Sequence, residues 1–356
     1  MSTKIVWILL ASSIAACGDD DGGSTTPDTG PADTGTTDMG APDMGAPDMA
    51  TPDTGPGDTG TPDAGGGDVA RGEYLVLNVA LCGDCHTPRD AMGAPMEDMF
   101  LAGGFFGDLD PTDPDVGAVY TRNLTPHATG LADWTDAEIK NAFLNGMSKH
   151  GHALLPIMPY YVLHNMTDED ADAIVAYLRT IPAVDNAIPA NQVDAPPGPS
   201  PSVPEAMIPH TTLDEADPDY EAAERGRYLA GRIGVCMECH TEHNMPGPGP
   251  VLREDRLFAG GEGFPAALLG VPSPPFPEVI FTRNLTPDAT GIQGWTAIQV
   301  ARALAEGIDE EGQGLCPPMP RFGMTEEDRL AIGTYLTTLA PVASPMPIPE
   351  CVPPAM

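Results

Sequence analysis

The chain has 356 residues, of which 16 are basic and 52 acidic, and its formal net charge is −36 at pH 7. So acidic a chain lacks the basic stripes that neutralise nucleic-acid phosphates, which argues against nucleic acid as a partner, and an anionic membrane surface is disfavoured as a docking site. Its 40 Gly and 41 Pro predict long loops or a disordered segment beside any folded part.

Residues 1–17 have the pattern of a lipoprotein signal peptide. Lys4 precedes an apolar run at residues 5–11, which is too short to span a bilayer as a mature helix. Two alanines stand directly before Cys17, as in a bacterial lipobox, where the cysteine is acylated. We expect export to the periplasm and a lipid anchor on Cys17; an ordinary signal peptide with an incidental cysteine is the alternative. Because Gly18 rather than Asp follows Cys17, the outer membrane is favoured over the inner, and display on the cell surface stays open.

Residues 18–68 are predicted to form a disordered, acidic tether. Aspartate recurs every five residues from Asp28 to Asp68, in a Thr/Ala-Pro-Asp-Thr/Met-Gly pattern. Such a segment has no apolar face to bury, and its charge and regular proline keep it extended and solvated. Evenly spaced carboxylates do not build the cage that Ca²⁺ requires, so calcium binding is the weaker interpretation.

The motif C-x-x-C-H stands at residues 82–86 and again at 236–240. This is the pattern of c-type haem attachment, in which both thiols form thioethers with the haem and the histidine binds the iron. Zinc and a thioredoxin-type dithiol are weaker alternatives, because zinc needs a second ligand pair at each site and a redox dithiol does not need the histidine. We therefore expect two haem c groups, attached at Cys82, Cys85, Cys236 and Cys239 and ligated by His86 and His240.

The sequence repeats around these motifs. Thr-Arg-Asn-Leu-Thr-Pro occurs at residues 121–126 and again at 282–287. Each half opens with a short helical pattern, at 69–79 and at 220–233. Each half closes with an apolar helical stripe behind an N-cap threonine, Thr167 or Thr325.

The repeat predicts an all-α fold with two tandem class I cytochrome c-like domains after the tether. The predicted domain boundaries are 69–182 for the first domain, 183–216 for a Pro-rich linker, 217–342 for the second domain and 343–356 for a Pro-rich tail.

The sixth iron ligand decides what each haem does, because a doubly ligated iron shuttles electrons and an open one binds small molecules. Met158 and Met319 occupy the same position in the two halves, each directly before a proline, and are the predicted ligands. His150 and His152 are rivals in the first half, but their repeat positions hold no histidine, which favours an interpretation as surface histidines.

Cys316 and Cys351 remain after lipidation and haem attachment. In an oxidising compartment two leftover cysteines are expected to pair. The weaker alternative makes Cys316 an iron ligand, since it stands three residues before Met319.

With these residues identified, the sequence resembles the class I cytochrome c domains that occur in pairs in bacterial dihaem cytochromes, especially the cytochrome subunits of periplasmic alcohol and gluconate dehydrogenases. The resemblance rests on C-x-x-C-H, on the Asn-Leu-Thr-Pro-x-x-Thr-Gly stretches and on the Met-Pro loops, and it covers about residues 69–342. It implies His/Met ligation at both haems. It also implies that four side chains lie near the haem edges or propionates, with ordinary packing and surface charge as the alternative: Arg122, Trp134, Arg283 and Trp295. Related subunits carry three such motifs and this chain has two.

The leading hypothesis is an electron-transfer protein without catalysis of its own, working with a dehydrogenase, a quinol-oxidising complex, an oxidase or a soluble carrier. The alternative is a dihaem redox enzyme, peroxidase-like or thiosulfate-oxidising, with one iron open or not ligated by methionine. Simple haem storage is weaker, because storage does not need thioethers.

Overall fold

The computed structural model describes residues 67–90, 93–108, 117–194, 196–244, 251–266, 276–316 and 318–344. All of them belong to one unit, Thr59–Met356. The signal, nearly all of the tether and most of the tail lie outside the described residues, as do Cys17 and Cys351. None of the described helices is long and apolar enough to cross a membrane.

The first half, residues 69–182, consists of helices and one strand pair. Asp68, the last repeat aspartate, caps the first helix by accepting from the backbone N–H groups of Ala70 and Arg71. The predicted opening helix is present, and its last turn is a wider π-turn. In chain order the elements are α1 (Val69–Tyr74), the π-turn (Leu75–Val79), α2 (Cys82–His86), β1 (Gly104–Asp108), β2 (Ala118–Thr121), α3 (Asp136–Asn145), α4 (Tyr160–Leu163) and α5 (Asp168–Thr180).

The second half, residues 217–342, follows the same order, except that it adds a strand pair and has no counterpart of α4 among the described residues. Its opening helix also ends in a π-turn. The elements are α6 (Tyr220–Tyr228), the π-turn (Leu229–Ile233), α7 (Cys236–Cys239), β3 (His243–Asn244), β4 (Val251–Leu252), β5 (Gly263–Pro265), β6 (Val279–Phe281), α8 (Ala297–Glu306) and α9 (Glu326–Thr337).

The closing helices begin where the sequence predicts. The Thr167 hydroxyl accepts from the N–H of Asp170 at 3.2 Å, and Thr325 does the same for Asp328 at 3.2 Å. Helices α3 and α8 are additional to the predicted helices. Each of these helices begins with a capping box, made by Thr135 with Glu138 and by Thr296 with Gln299.

The all-α expectation needs a correction. The described residues contain three two-stranded antiparallel pairs, β1 with β2, β3 with β4 and β5 with β6. Two glycines with left-handed backbone, Gly103 at φ +74° and Gly260 at φ +66°, bring the chain close to the segments at the ends of β2 and β6, respectively. A Cβ on either glycine would lie 2.6 Å or less from backbone atoms there. Strands of two to five residues are too short to show an alternating pattern in the sequence.

In each half the opening and closing helices cross at a glycine. A Cβ on Gly72 would lie 1.8 Å from the carbonyl oxygen of Ala173, and one on Gly226 would lie 2.0 Å from that of Ala331. Only a residue without a side chain allows this approach. The crossings let the apolar stripes of α5 and α9 pack into the core, where Ile174 and others are buried as predicted.

The two halves exchange hydrogen bonds through a reciprocal pair of tyrosines. The Tyr228 hydroxyl donates to Asp170 of the first half at 2.7 Å, and Asp170 is ion-paired with Arg71. The Tyr74 hydroxyl donates to Asp328 of the second half at 2.5 Å. Asp170 and Asp328 each therefore bind the opening helix of their own half, through Arg71 or Arg225, and the opening helix of the other half.

The Pro-rich segment 183–216 lies against both halves as a strap. Its residues join the strand pair of the first half, the turn of α4 and the opening helix of the second half. The bonds run from the N–H of Gln192 to the carbonyl of Ala118 (2.8 Å), from the N–H of Val203 to the carbonyl of Tyr161 (2.8 Å) and from the Arg227 guanidinium to the carbonyl of Ile208 (2.9 Å).

Candidate functional site

Both C-x-x-C-H motifs directly follow a residue with left-handed backbone. Leu81 has φ 49° and Val235 has φ 47°, each directly before the first cysteine of its motif. A non-glycine residue seldom takes this conformation, which costs on the order of 1 kcal/mol. This conformation turns the chain out of the π-turn and into the short helix that carries both cysteines; the helix includes His86 in the first motif and ends directly before His240 in the second. Strain kept at the same repeat position is typical of a functional site.

The motif histidines are held in one tautomer by the backbone. The Nδ1 atom of His86 lies 2.8 Å from the carbonyl oxygen of Arg122, and Nδ1 of His240 lies 2.7 Å from that of Arg283. A carbonyl only accepts, so Nδ1 carries the proton and Nε2 keeps its lone pair for a metal. Burial lowers the pKa of His240 despite this hydrogen bond, which keeps the ring neutral.

None of the four motif cysteines forms a disulfide. Burial raises the pKa of Cys236 to about 12, so this group is a thiol at neutral pH. Burial, Asp84 and Glu238 raise the pKa of Cys85 to about 11. Glu238 belongs to the second motif, so a charge of that motif acts on a cysteine of the first.

The two arginines of the Thr-Arg-Asn-Leu-Thr-Pro repeats have a role that their side chains do not reveal. The resemblance implies that the guanidinium groups lie near haem, with surface charge as the alternative; in the structure the main-chain carbonyl of each arginine orients a motif histidine. The Arg122 side chain donates to the carbonyl of Pro189 in the strap at 2.9 Å. Proximity of either guanidinium to haem remains a prediction.

The predicted methionine and tryptophan residues are partly buried and pack against the apolar core in each half. This set comprises Met158, Trp134, Met319 and Trp295. Met158 begins a tight turn in which its carbonyl accepts from Tyr160 N–H at 2.8 Å, and the Lys149 ammonium lies 5.5 Å from the Trp134 ring centroid.

An asparagine clasp lies behind each site. Asn284 is buried and donates to the carbonyl of Val342 at 2.7 Å, while its side-chain oxygen accepts from the N–H and hydroxyl of Thr286. Asn123 makes the same bonds to Thr125 and to Val184 at 2.9 Å. The repeated Asn-Leu-Thr-Pro-x-x-Thr-Gly stretch therefore holds in place the chain that follows each closing helix.

Two other predicted features can be placed. Cys316 is disulfide-bonded, which argues against its thiolate as an iron ligand; its predicted partner Cys351 lies outside the described residues, so the pairing stays a prediction. Among the residues that the structure describes, no group of three or more His, Cys, Asp or Glu side chains is arranged to hold a bare metal ion.

A model of the cytochrome c family matches residues 69–182. These residues are a cytochrome c domain. The chain is 31% identical over 173 residues to a nicotinate dehydrogenase subunit of Pseudomonas putida, covering 48% of this chain and 14% of that protein. It is 32% identical over 191 residues to the fructose dehydrogenase cytochrome subunit of Gluconobacter japonicus, covering 50% of this chain and 35% of that subunit. It thus spans well under two thirds of either relative.

A dihaem c-type cytochrome of Cereibacter sphaeroides matches over more of its length. It is 28% identical over 277 residues, which cover 72% of this chain and 80% of that protein. The match is too long to lie within residues 69–182, so it includes sequence beyond the cytochrome c domain.

The residues of the cytochrome c domain fit haem c. Cys82 and Cys85 lie on the short helix α2 and form no disulfide, and His86 on the same helix keeps Nε2 available for iron. Leu124, Trp134 and other partly buried apolar side chains pack against the apolar core, so the domain has the nonpolar interior that a porphyrin requires. Two thiols for covalent attachment, together with a neutral imidazole and a methionine thioether for the iron, are the groups that a c-type haem needs.

Proposed function

We propose that this chain is a dihaem cytochrome c that transfers single electrons. The observation that carries the proposal is the hydrogen bond from the motif histidine to the carbonyl of the following Thr-Arg-Asn repeat. It occurs at His86 with Arg122 and again at His240 with Arg283. A histidine fixed in this tautomer is suited to binding iron, whereas a redox dithiol does not require a histidine held in this way.

Residues 217–342 are proposed to form a second cytochrome c-like domain that arose by internal duplication. Support comes from the shared order of elements, the crossing glycines Gly72 and Gly226, and the asparagine clasps. Support also comes from the length of the match to a dihaem cytochrome. The helical repeat would then hold two cofactors in one unit.

At each site we propose His/Met ligation, by His86 with Met158 and by His240 with Met319. When bound, haem c supplies a one-electron Fe(III)/Fe(II) couple. Two cysteines of each motif would hold the haem through thioethers, and the backbone hydrogen bond fixes the histidine ring that would bind its iron. With histidine and methionine both bound, the iron would have no place for a substrate, so the chain would carry electrons and catalyse no bond chemistry.

The location and partners are also proposals. The signal pattern at residues 1–17 favours export, and Cys17 is the proposed site of acylation, with a periplasmic location on the outer rather than the inner membrane. Because several relatives are named as cytochrome subunits of dehydrogenases, a dehydrogenase is the proposed electron donor. An oxidase or a soluble carrier would accept the electrons.

Intact mass of the purified chain tests the haem count. We expect two covalently bound haem groups, and a Cys236→Ser/Cys239→Ser variant should keep one. A wild-type chain with a single haem would refute the dihaem proposal.

Absorption spectra of the oxidised and reduced protein, with carbon monoxide added to the reduced form, test the ligation. Met158→Ala and Met319→Ala should each remove half of the weak long-wavelength band of Met-ligated ferric haem and open one iron to carbon monoxide. Met96→Leu, at an exposed position, is the control. Carbon monoxide binding by the wild type would instead favour the dihaem redox enzyme.

A further inference from the structure

A buried histidine in the second half is surrounded by groups that exchange protons. The His243 side chain is 9% exposed, and its Nδ1 lies 3.2 Å from Oε2 of Glu262. Its Nε2 lies 3.3 Å from the Tyr161 hydroxyl and 3.8 Å from Oε1 of Glu238. The Tyr161 hydroxyl in turn lies 3.2 Å from Oε1 of Glu238. We call these four residues the His243 cluster.

The His243 cluster is assembled from both halves. Tyr161 belongs to α4 of the first half and follows Met158 by three residues. Glu238 lies within the second C-x-x-C-H motif, and its Oε2 accepts from the thiol of Cys239 at 3.1 Å. Its charge also raises the pKa of Cys85 in the first motif. The cluster therefore lies directly beside the second attachment motif.

The repeat does not reproduce this cluster in the first half. The position that corresponds to His243 holds Arg89, whose guanidinium donates to the carbonyl of Gly93 and is exposed. The position that corresponds to Tyr161 holds Phe322. The two sites share histidine geometry and differ in this group, so the cluster distinguishes the second site from the first.

Charges from every neighbouring element favour a protonated His243. Burial lowers its pKa, but the hydrogen bond to Glu262 and the charges of Glu238 and Glu262 outweigh burial, so the pKa is raised above the ordinary histidine value. The adjacent Glu242 is neutralised by Arg253 and Arg256. Burial and Glu238 raise the pKa of Tyr161, which leaves it a neutral donor.

We propose that His243 is a proton-binding residue coupled to electron transfer at the second haem site. The inference rests on the proposed function. Reduction of that site by a donor protein raises the proton affinity of the His243 imidazole, which takes up a fraction of a proton from solvent near its pKa; as the electron leaves to an acceptor, that fraction returns to solvent. The coupling is electrostatic, because an imidazolium near the site favours its reduced state.

The direction and the size of the change in reduction potential follow from the charge on His243. As the pH rises through the pKa of His243, the positive charge is lost and the reduction potential of the second site falls. A unit charge within about 10 Å, at an effective dielectric constant of about 20, changes the one-electron equilibrium on the order of tenfold. Tenfold corresponds to about 59 mV for a one-electron couple.

Potentiometric titration of the full haem-loaded chain between about pH 5 and pH 9 tests the proposal. We expect one of the two potentials to fall with pH in the wild type, and His243→Gln to flatten that dependence by removing the charge. Arg89→Gln, at the corresponding position of the first half, should leave it unchanged. Glu262→Gln keeps a hydrogen-bonding side chain beside His243 and should move the pH dependence to lower pH, by about tenfold in proton affinity.

A second measurement follows the imidazole itself. The NMR titration of His243 should give a higher pKa in the reduced than in the oxidised protein. The proposal is wrong if the pKa is the same in both states, or if His243→Gln and Glu262→Gln both leave the potentials and their pH dependence unchanged. Spectra of the same samples separate this failure from failure of the proposed function, which would show as one haem or an open iron.

Discussion

Replacing Tyr228 by phenylalanine tests whether the halves are held together by their exchanged hydrogen bonds. The Tyr228 hydroxyl donates to Asp170 at 2.7 Å and accepts from the N–H of Thr167 at 3.2 Å. A hydrogen bond to a charged group contributes about 1.5 to 3 kcal/mol, and partial exposure of the site lowers this toward the smaller value. We therefore expect a loss of about 1.5 kcal/mol in the free energy of unfolding, equal to a fall in Tm of about 3 to 6 °C.

Urea unfolding of the full haem-loaded chain, followed by far-UV circular dichroism, measures this loss. Tyr74→Phe removes the reciprocal bond to Asp328 and should cost a similar amount. Tyr220→Phe is the matched control, because its hydroxyl makes no hydrogen bond within the described residues, and it should lie within about 0.5 kcal/mol of the wild type. If both test variants match the control, the exchanged bonds do not stabilise the protein and the reasoning fails.

Three further predictions follow from the fold. Gly226→Ala should lower the free energy of unfolding by about 3 kcal/mol, because its Cβ would lie 2.0 Å from the carbonyl of Ala331, whereas Gly198→Ala meets nothing within 4 Å and should be neutral in the same melt. Burial raises the pKa of Asp170, but hydrogen bonds from Arg71 and Tyr228 lower it below the usual value. The ionised carboxylate therefore stabilises the fold above about pH 4, and this stabilisation is lost as the pH falls through the folded pKa. In urea melts at falling pH, the loss of unfolding free energy caused by Asp170→Asn should become smaller in acid. Asn284→Ala should cost about 3 kcal/mol and speed amide exchange at Val342 and Ser344, and unchanged exchange there would contradict the clasp.

The sequence predicts haem attachment at the two C-x-x-C-H motifs, and it was sufficient to place the start of each closing helix. C-x-x-C-H predicts its function because thioether formation requires those residue types at that spacing. The closing helices were predicted because threonine caps and apolar stripes are local signals, readable within one helix. The opening helices were predicted for the same reason, although their π-turns were not.

The strand pairs and the role of the arginines could not be read in this way. Strands of two to five residues carry too little pattern. The pairs β1–β2 and β5–β6 lie beside Gly103 and Gly260, whose left-handed backbone turns the chain toward a distant segment. The bond to His86 comes from a main-chain carbonyl, which every residue possesses. A sequence motif therefore points to Arg122 without saying which of its atoms acts.

What the sequence determined by itself is the local and covalent part of this protein: the repeat, the cap positions and the residue types that attach a haem. What only the tertiary structure decided is which halves and side chains meet. Tyr228 binds Asp170 of the other half, and His243 lies among Glu238, Glu262 and Tyr161. These contacts join residues far apart in the chain, and their burial and charge arise only once both halves pack together.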